Sequence, residues 1–136
     1  MNTWPELADF QAEFLAQYPN SPYQDIHMSF LNGRIQLNIL IGDVNDRIVS
    51  GIHQLVSESK VDAWYLDGFA PSKNPDMWTN ELFQNLANNS HTNTRIATFT
   101  AAGFVRRGLI DAGFEMKKRK GFGHKREMLI GQLVTD

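Results

Sequence analysis

Strand-like runs alternate with helical stretches through the middle of the chain, and this alternation constrains the fold most. Periodicity predicts strands over residues 34–41, 61–66 and 94–100, and helices from a cap at Asp43 or Asn45 to about residue 59, over 77–88 and over 102–112. Strand–helix–strand repeats indicate parallel pairing, because parallel strands need a crossover. Runs at 114–120 and 125–134 predict an antiparallel hairpin. The expected fold class is α/β, an open parallel sheet with a C-terminal antiparallel hairpin.

The first 42 residues carry different signals. Apolar side chains recur every three or four residues over 4–18, at Leu7, Phe10, Phe14 and Tyr18, which predicts an amphipathic helix. Runs at 25–31 and 34–41 flank Asn32-Gly33, a pair that strongly favours a tight hairpin turn.

Length and composition exclude several classes of protein. The chain has 136 residues, which fits one domain, and it lacks cysteine, which excludes disulfides, a thiolate nucleophile and cysteine-based zinc sites. We expect no metal site, because the histidines lack ligand spacing; they are His27, His53, His91 and His124. With no signal peptide and no apolar run of roughly 18 residues, we expect a cytoplasmic protein without a membrane partner.

Charge is distributed unevenly along the chain. Residues 1–100 hold five basic and eleven acidic side chains, whereas residues 101–136 hold eight basic and four acidic ones. Six of those eight basic residues fall within 117–126. Such a cluster suits a phosphate backbone. It is equally consistent with a solvated hairpin, since Lys and Arg commonly protect exposed strand edges.

Polar residues follow the predicted strands at Asp43, Asp67 and Thr100. Ligands of open α/β sheets bind beyond the carboxyl ends of the strands. Asp67 directly follows the apolar run 61–66, which is typical of a strand buried on both faces. Gly68 allows close backbone approach, and Phe69 offers an aromatic face to a cation or a base. This group suits an amine acceptor that must be oriented and relieved of a proton. For Asp67 and for Asp43, a capping role is the alternative.

Three blocks of the sequence together resemble one family. They are VDAWYLDGFAPSKNPDMW at 61–78, ATFTAAGFVRRGLIDAGF at 97–114 and KKRKGFGHKREM at 117–128. All three resemble the methyltransferase domain of the bifunctional tRNA 5-methylaminomethyl-2-thiouridine biosynthesis proteins, the MnmC family. The similarity covers almost the whole chain, more loosely before Gly42.

The resemblance implies a fold and a reaction. It implies a Rossmann-like methyltransferase that transfers a methyl group from S-adenosylmethionine to the aminomethyl group of a wobble uridine in tRNA. In longer members a second, FAD-dependent domain follows, and nothing in this sequence resembles it. The family's domain begins with a strand and a glycine-rich turn that cradles the cofactor, and the resemblance starts only after those elements. We therefore expect residues 1–136 to form one partial methyltransferase domain without that turn.

The resemblance also implies roles for single residues. Asp43 corresponds to the acid that contacts adenine, and Asp67 to the catalytic residue at the sulfonium and the acceptor amine. Gly42, Gly68 and Phe69 complete the expected cofactor pocket. The expected tRNA contacts are basic: Arg106, Arg107, Lys118, Lys120, Lys125 and Arg126.

Other functions remain open on the sequence alone. The chain could be a non-enzymatic RNA-binding or interaction module that uses the basic hairpin, or a methyltransferase of the same family with another substrate. If strands of the sheet are missing, we expect the isolated chain to be inactive and to self-associate through the uncovered sheet edge.

Overall fold

A computed structural model describes residues 4–21, 23–50, 52–56 and 59–134, and gives no account of the side chain of His53. The chain forms two compact units, Met1–Gly42 and Asp43–Asp136. Each is described by itself.

The first unit contains one helix and one hairpin. A 3₁₀ turn at Pro5–Leu7 leads into α1 (Ala8–Gln17), and β1 (Ile26–Phe30) pairs antiparallel with β2 (Ile35–Ile39). The turn between the strands has positive φ angles at Leu31, Asn32 and Gly33, so the predicted Asn-Gly hairpin is confirmed. The helix is also present, but none of its residues is buried. The ring of Phe14 stacks on the ring of Tyr18, the residue after the helix, with ring centroids 5.4 Å apart.

The second unit contains a four-stranded sheet. In chain order its elements are α2 (Val44–Ser50), α3 (Ile52–Val56), β3 (Val61–Leu66), a 3₁₀ turn (Pro75–Met77), α4 (Asn80–Asn88), β4 (Ser90–Thr98), α5 (Gly103–Asp111), β5 (Phe114–Lys120) and β6 (Glu127–Leu133). The strand order is β3-β4-β6-β5. Strands β3 and β4 are parallel, and β6 runs antiparallel to both β4 and β5. This is the predicted α/β sheet with a C-terminal antiparallel hairpin.

One face of this sheet packs on helices α4 and α5. Thr79 caps α4, because its hydroxyl accepts a hydrogen bond from Leu82 N at 3.0 Å. In α5 the buried positions recur with helical spacing, and a side chain at Gly108 would overlap the ring of Phe83. The core of the unit is Ile48, Trp78, Leu82, Phe83, Leu86, Ile96, Val105, Leu109, Phe114, Met116, Leu129 and Leu133.

No described element of the second unit covers the opposite face of the sheet, which we call the open face. It holds a shallow depression of about 400 Å³, lined by residues that include Ala63, Tyr65, Arg95, Ala97, Lys117 and Ile130. Tyr65 is 82% exposed, so the prediction that 61–66 is buried on both faces is wrong. An apolar run shows that a strand can be buried, but not whether a second layer covers it.

The predicted helix over 43–59 is confirmed for α2 and α3, and Gly51, Ser57 and Glu58, which the prediction also covers, lie outside the described residues. One further prediction needs correction. The strand before Asp43 was expected in the parallel sheet, yet β2 is paired only with β1 among the described strands. Hairpin pairing with its sequence neighbour satisfies the backbone of β2 locally.

A β-bulge lies near the start of the parallel pair. Val61 is aligned with Ser90, but Ala63 is aligned with Arg95, so β4 carries the extra residues. The hydroxyl of the fully buried Thr94 donates to the Val61 carbonyl at 2.6 Å and accepts from His91 N at 2.9 Å. This places the imidazole of His91 beside Asp62, with Nε2 2.8 Å from Oδ1.

Both ring nitrogens of His91 face acceptors. Besides the Asp62 carboxylate at Nε2, the Thr92 carbonyl lies 2.7 Å from Nδ1. Two acceptors are satisfied together only by the protonated ring. The pKa of His91 is raised above its ordinary value of 6.5. The largest cause is the hydrogen bond to Asp62, followed by the hydrogen bond to the Thr92 carbonyl.

We predict a pH dependence from this pair. Because the folded pKa of His91 is raised, its contribution to stability is fully present below about pH 6.5 and is lost as the pH rises through the folded pKa. An NMR titration should give a midpoint above 6.5 for His91, and Asp62→Asn should lower that midpoint. Asp111→Asn, at an exposed position on α5, is the matched control. An unchanged midpoint in Asp62→Asn would contradict this account.

No helix in the described ranges combines the length and the hydropathy that a bilayer crossing requires.

Candidate active site

Asp67 lies directly beyond the carboxyl end of β3 and is exposed. Leu66 is aligned with Thr98 of β4, so the parallel register brings the residues that follow the two strands to the same edge of the sheet. Thr100 follows β4 there, and its hydroxyl accepts from Ala102 N at 3.2 Å. Within the described part of the chain, no hydrogen bond to the Asp67 carboxylate is present. The capping alternative for Asp67 therefore has no support in the contacts.

The loop that begins at Asp67, residues 67–79, is stabilised by contacts with its own C-terminal residues. The indole N–H of buried Trp78 donates to the Phe69 carbonyl at 2.9 Å. A side chain at Gly68 would overlap the end of Met77, so the absence of a Cβ lets the loop fold back closely. The backbone N–H of Lys73 donates to the Ala70 carbonyl at 2.8 Å. We call residues 67–79 the acceptor loop.

Phe69 has a fixed backbone and a free ring. Its carbonyl is held by Trp78, yet the residue is 73% exposed. An exposed aromatic ring on a braced backbone can stack on a base or attract a cation at small entropic cost. Asp67 and Phe69 thus present a carboxylate and an aromatic face from one short segment.

Asp43 is exposed and caps α2. Its Oδ1 accepts from Asn45 N at 2.8 Å, and its carbonyl accepts from Arg47 N at 2.9 Å. The capping role weighed for Asp43 is therefore confirmed for one carboxylate oxygen. Gly42, immediately before it, has a φ of 142°, a value that favours glycine.

Alternation along β5 separates the basic residues onto two faces. Phe114 and Met116 face the helices, so Lys118 and Lys120 point to the same side as α5, where Arg106 and Arg107 are exposed. Lys117 and Arg119 belong to the open face. Lys118 also forms a salt bridge with Glu127, at 3.0 Å.

Comparison with known proteins identifies the family. Residues 5–134 match the model of a family described as S-adenosyl-L-methionine-dependent methyltransferase. The chain belongs to this methyltransferase family. It is 52% identical over 134 residues to the tRNA 5-methylaminomethyl-2-thiouridine biosynthesis bifunctional protein MnmC of Aliivibrio fischeri (strain ATCC 700601 / ES114). That match covers 96% of this chain and 19% of the relative, so the chain spans about a fifth of that protein's length.

The fold agrees with the family. The structure is similar to the crystal structure of MNMC2 from Aquifex aeolicus, with a TM-score of 0.71 over 100% of this chain and 39% of that chain. Sequence identity with that structure is 23%, so this similarity bears on the fold alone. The resemblance drawn from the three sequence blocks is confirmed.

An adenosyl cofactor offers a cationic sulfonium and an adenine amino group. The exposed carboxylates of Asp67 and Asp43 and the exposed ring of Phe69 are groups with the chemistry to contact them. Among the described residues, no three His, Asp or Glu side chains are grouped so that they could hold a metal ion.

Sequence reasoning missed three residues, two beside the candidate site and one on the basic hairpin. Trp78 holds the Phe69 carbonyl, and Asn45 contacts the acceptor loop through its side chain. Phe122, at the tip of the β5–β6 hairpin, is 87% exposed among basic neighbours. Only Phe122 had a signal in the sequence, as an aromatic residue within a basic run.

Proposed function

We propose that this chain forms the adenine-side and acceptor-side walls of a tRNA methyltransferase. The reaction transfers a methyl group from S-adenosylmethionine to the aminomethyl group of wobble 5-aminomethyl-2-thiouridine. Membership of the methyltransferase family supports the cofactor, and the printed name of the 52% identical relative supports the tRNA substrate. The proposal places the reaction in the cytoplasm and any FAD-dependent step in a separate domain.

The exposed Asp67 carboxylate carries the proposal. It lies at the edge of the sheet where the parallel strands end, beside a braced aromatic residue. Ligands of open α/β sheets bind at this edge. A carboxylate that is engaged by no described side chain is available to a substrate.

Asp67 acts on the amine of the acceptor. An amine attacks carbon through its lone pair, so it must be neutral at the moment of attack. The Asp67 carboxylate accepts a hydrogen bond from the amine N–H, which aims the lone pair at the methyl group. Phe69 stacks against the uracil ring and fixes its plane.

The bonds that form and break during methyl transfer balance without a metal ion. S-adenosylmethionine supplies the methyl group on a sulfonium, which is a good leaving group. The amine nitrogen forms the new N–C bond, the S–C bond breaks, and its electron pair returns to sulfur. The surplus N–H proton leaves through Asp67 to solvent.

We predict that Asp67→Ala removes methyl transfer. The test uses a chimera in which this chain replaces the matched segment of the Aliivibrio fischeri protein. Turnover should fall by about 10²- to 10⁴-fold, since positioning and proton acceptance are both lost. Methyl incorporation into tRNA is the measurement, with Asp111→Ala as the control for an exposed aspartate. Wild-type turnover in the Asp67→Ala chimera would contradict the assignment.

We also propose that tRNA binds along the helix side of the β5–β6 hairpin. The expected contacts are Arg106, Arg107, Lys118, Lys120, Lys125 and Arg126, all exposed. Phe122 adds a stacking surface at the tip, where Lys125 N donates to the Phe122 carbonyl at 3.2 Å and closes the turn. Cations that flank an exposed ring suit a phosphate backbone with an unstacked base.

We predict different salt dependences for the two kinds of contact. Lys125→Ala should reduce the slope of log affinity against log salt by about 0.7 to 0.9, because one phosphate contact is lost. Phe122→Ala should weaken binding by about five- to 150-fold with the slope unchanged, because stacking is not ionic. A tRNA anticodon stem-loop is the probe, and Lys60→Ala, before β3, is the control. Equal effects of Lys60→Ala and Lys125→Ala on the salt slope would exclude the hairpin as the tRNA-binding surface.

The same measurement tests the alternative function, a non-enzymatic RNA-binding module. That module requires stem-loop binding without any binding of S-adenosylhomocysteine. The basic hairpin and Phe122 are the observations that favour it. Binding of S-adenosylhomocysteine that Asp67→Ala weakens supports the methyltransferase.

We further propose that the chain self-associates through the outer edge of β3. Strand β3 ends the order β3-β4-β6-β5 and presents Tyr65 beside that edge. Unpaired N–H and C=O groups of an edge strand can pair with a second copy.

We predict a concentration-dependent dimer in sedimentation velocity. Tyr65→Lys should shift the chain toward monomer, because a lysine on an edge strand opposes strand pairing. Tyr23→Lys is the matched control, since Tyr23 is 87% exposed in the first unit. A monomer at all concentrations, or equal dissociation in both variants, would contradict the edge contact.

A further inference from the structure

The side chain of Asn45 connects the start of α2, next to Asp43, to the acceptor loop. Asn45 lies in the first turn of α2, two residues after Asp43. Its Nδ2 donates to the Asp76 carbonyl at 3.1 Å, and its Oδ1 accepts from the Thr79 hydroxyl at 2.8 Å. Both partners belong to the acceptor loop, more than 30 residues further along the chain.

The partners fix the orientation of the Asn45 amide. The Asp76 carbonyl only accepts, so it must face the NH₂ group. The Thr79 hydroxyl already accepts from Leu82 N, so its own hydrogen is directed to the Asn45 oxygen. Only one orientation of the Asn45 amide therefore satisfies both partners, with Nδ2 toward the Asp76 carbonyl and Oδ1 toward the Thr79 hydroxyl.

These contacts reach the site through the loop itself. Asp76 and Thr79 flank Met77 and Trp78, the two residues that support the beginning of the loop. Trp78 holds the Phe69 carbonyl, and Met77 lies against Gly68. Holding positions 76 and 79 thus holds the backbone next to Asp67.

We infer that Asn45 is a positioning residue that holds the acceptor loop, and through it Asp67, at the start of α2. This inference rests on the proposed function. The backbone N–H of Asn45, not its side chain, bonds Asp43. Substitutions of the Asn45 side chain therefore leave the adenine side in place and act on the acceptor side.

Asn45→Asp is the sharpest variant, since it changes the NH₂ group to oxygen at nearly constant volume. The acceptor for Thr79 remains, but a carboxylate oxygen then faces the Asp76 carbonyl and the bond becomes repulsion. Asn45→Ala removes both bonds without adding charge. Asn20→Asp, at an exposed position in the first unit, is the control for the added charge.

The first readout is the hydrogen-exchange rate of the tryptophan indole N–H groups in this chain, measured by NMR. The Trp78 indole N–H should exchange about tenfold faster in both Asn45 variants. The Trp64 indole donates to the Ser90 hydroxyl at 2.8 Å and serves as the internal reference, since general destabilisation would accelerate both. Unchanged Trp78 exchange, or equal acceleration of both indoles, would overturn the inference.

The second readout is kinetic and uses the chimera. Asn45→Asp and Asn45→Ala should lower kcat about tenfold while the KM for S-adenosylmethionine changes less than twofold. A rise in KM at constant kcat would overturn the positioning role on the acceptor side. If the wild-type chimera is inactive, the proposed function fails, and the indole exchange still decides whether Asn45 holds the loop.

Discussion

The parallel pairing of β3 with β4 determines where Asp67 and Thr100 lie. Because the two strands run in the same direction, their carboxyl ends meet at one edge, and Asp67 and Thr100 follow them there. The antiparallel pairing of β6 with β4 then extends the sheet toward the basic hairpin. If β3 shifted by one residue, Tyr65 would turn toward the helices and Leu66 toward the open face.

The two faces of this sheet differ in what covers them. Parallel sheets are normally covered on both faces. Here α4 and α5 cover one face, while Tyr65, Arg95 and Lys117 lie on the other.

Local sequence signals predicted the elements well, and contacts between distant residues were not predictable. Strands β3 and β5 have the predicted bounds, since turn residues follow both of them. Gly113 ends α5 with a φ of 107°, as expected for a left-handed helix end. The exposure of Tyr65 was not predicted, because periodicity does not report whether a second layer covers a strand. The bonds of Asn45 to residues 31 and 34 positions away have no signature in a single sequence.

The central claim is that the carboxyl edge of β3 and β4 is where an adenosyl cofactor meets the acceptor amine. A crystal structure of the chimera with S-adenosylhomocysteine and an anticodon stem-loop tests it most directly. The account predicts the ligand sulfur and the modified uridine within contact of Asp67 and Phe69, with the adenine amino group hydrogen-bonded to Asp43. A nucleoside bound at the opposite edge, near Asp62 and His91, or an Asp67 carboxylate directed away from both ligands, would contradict it.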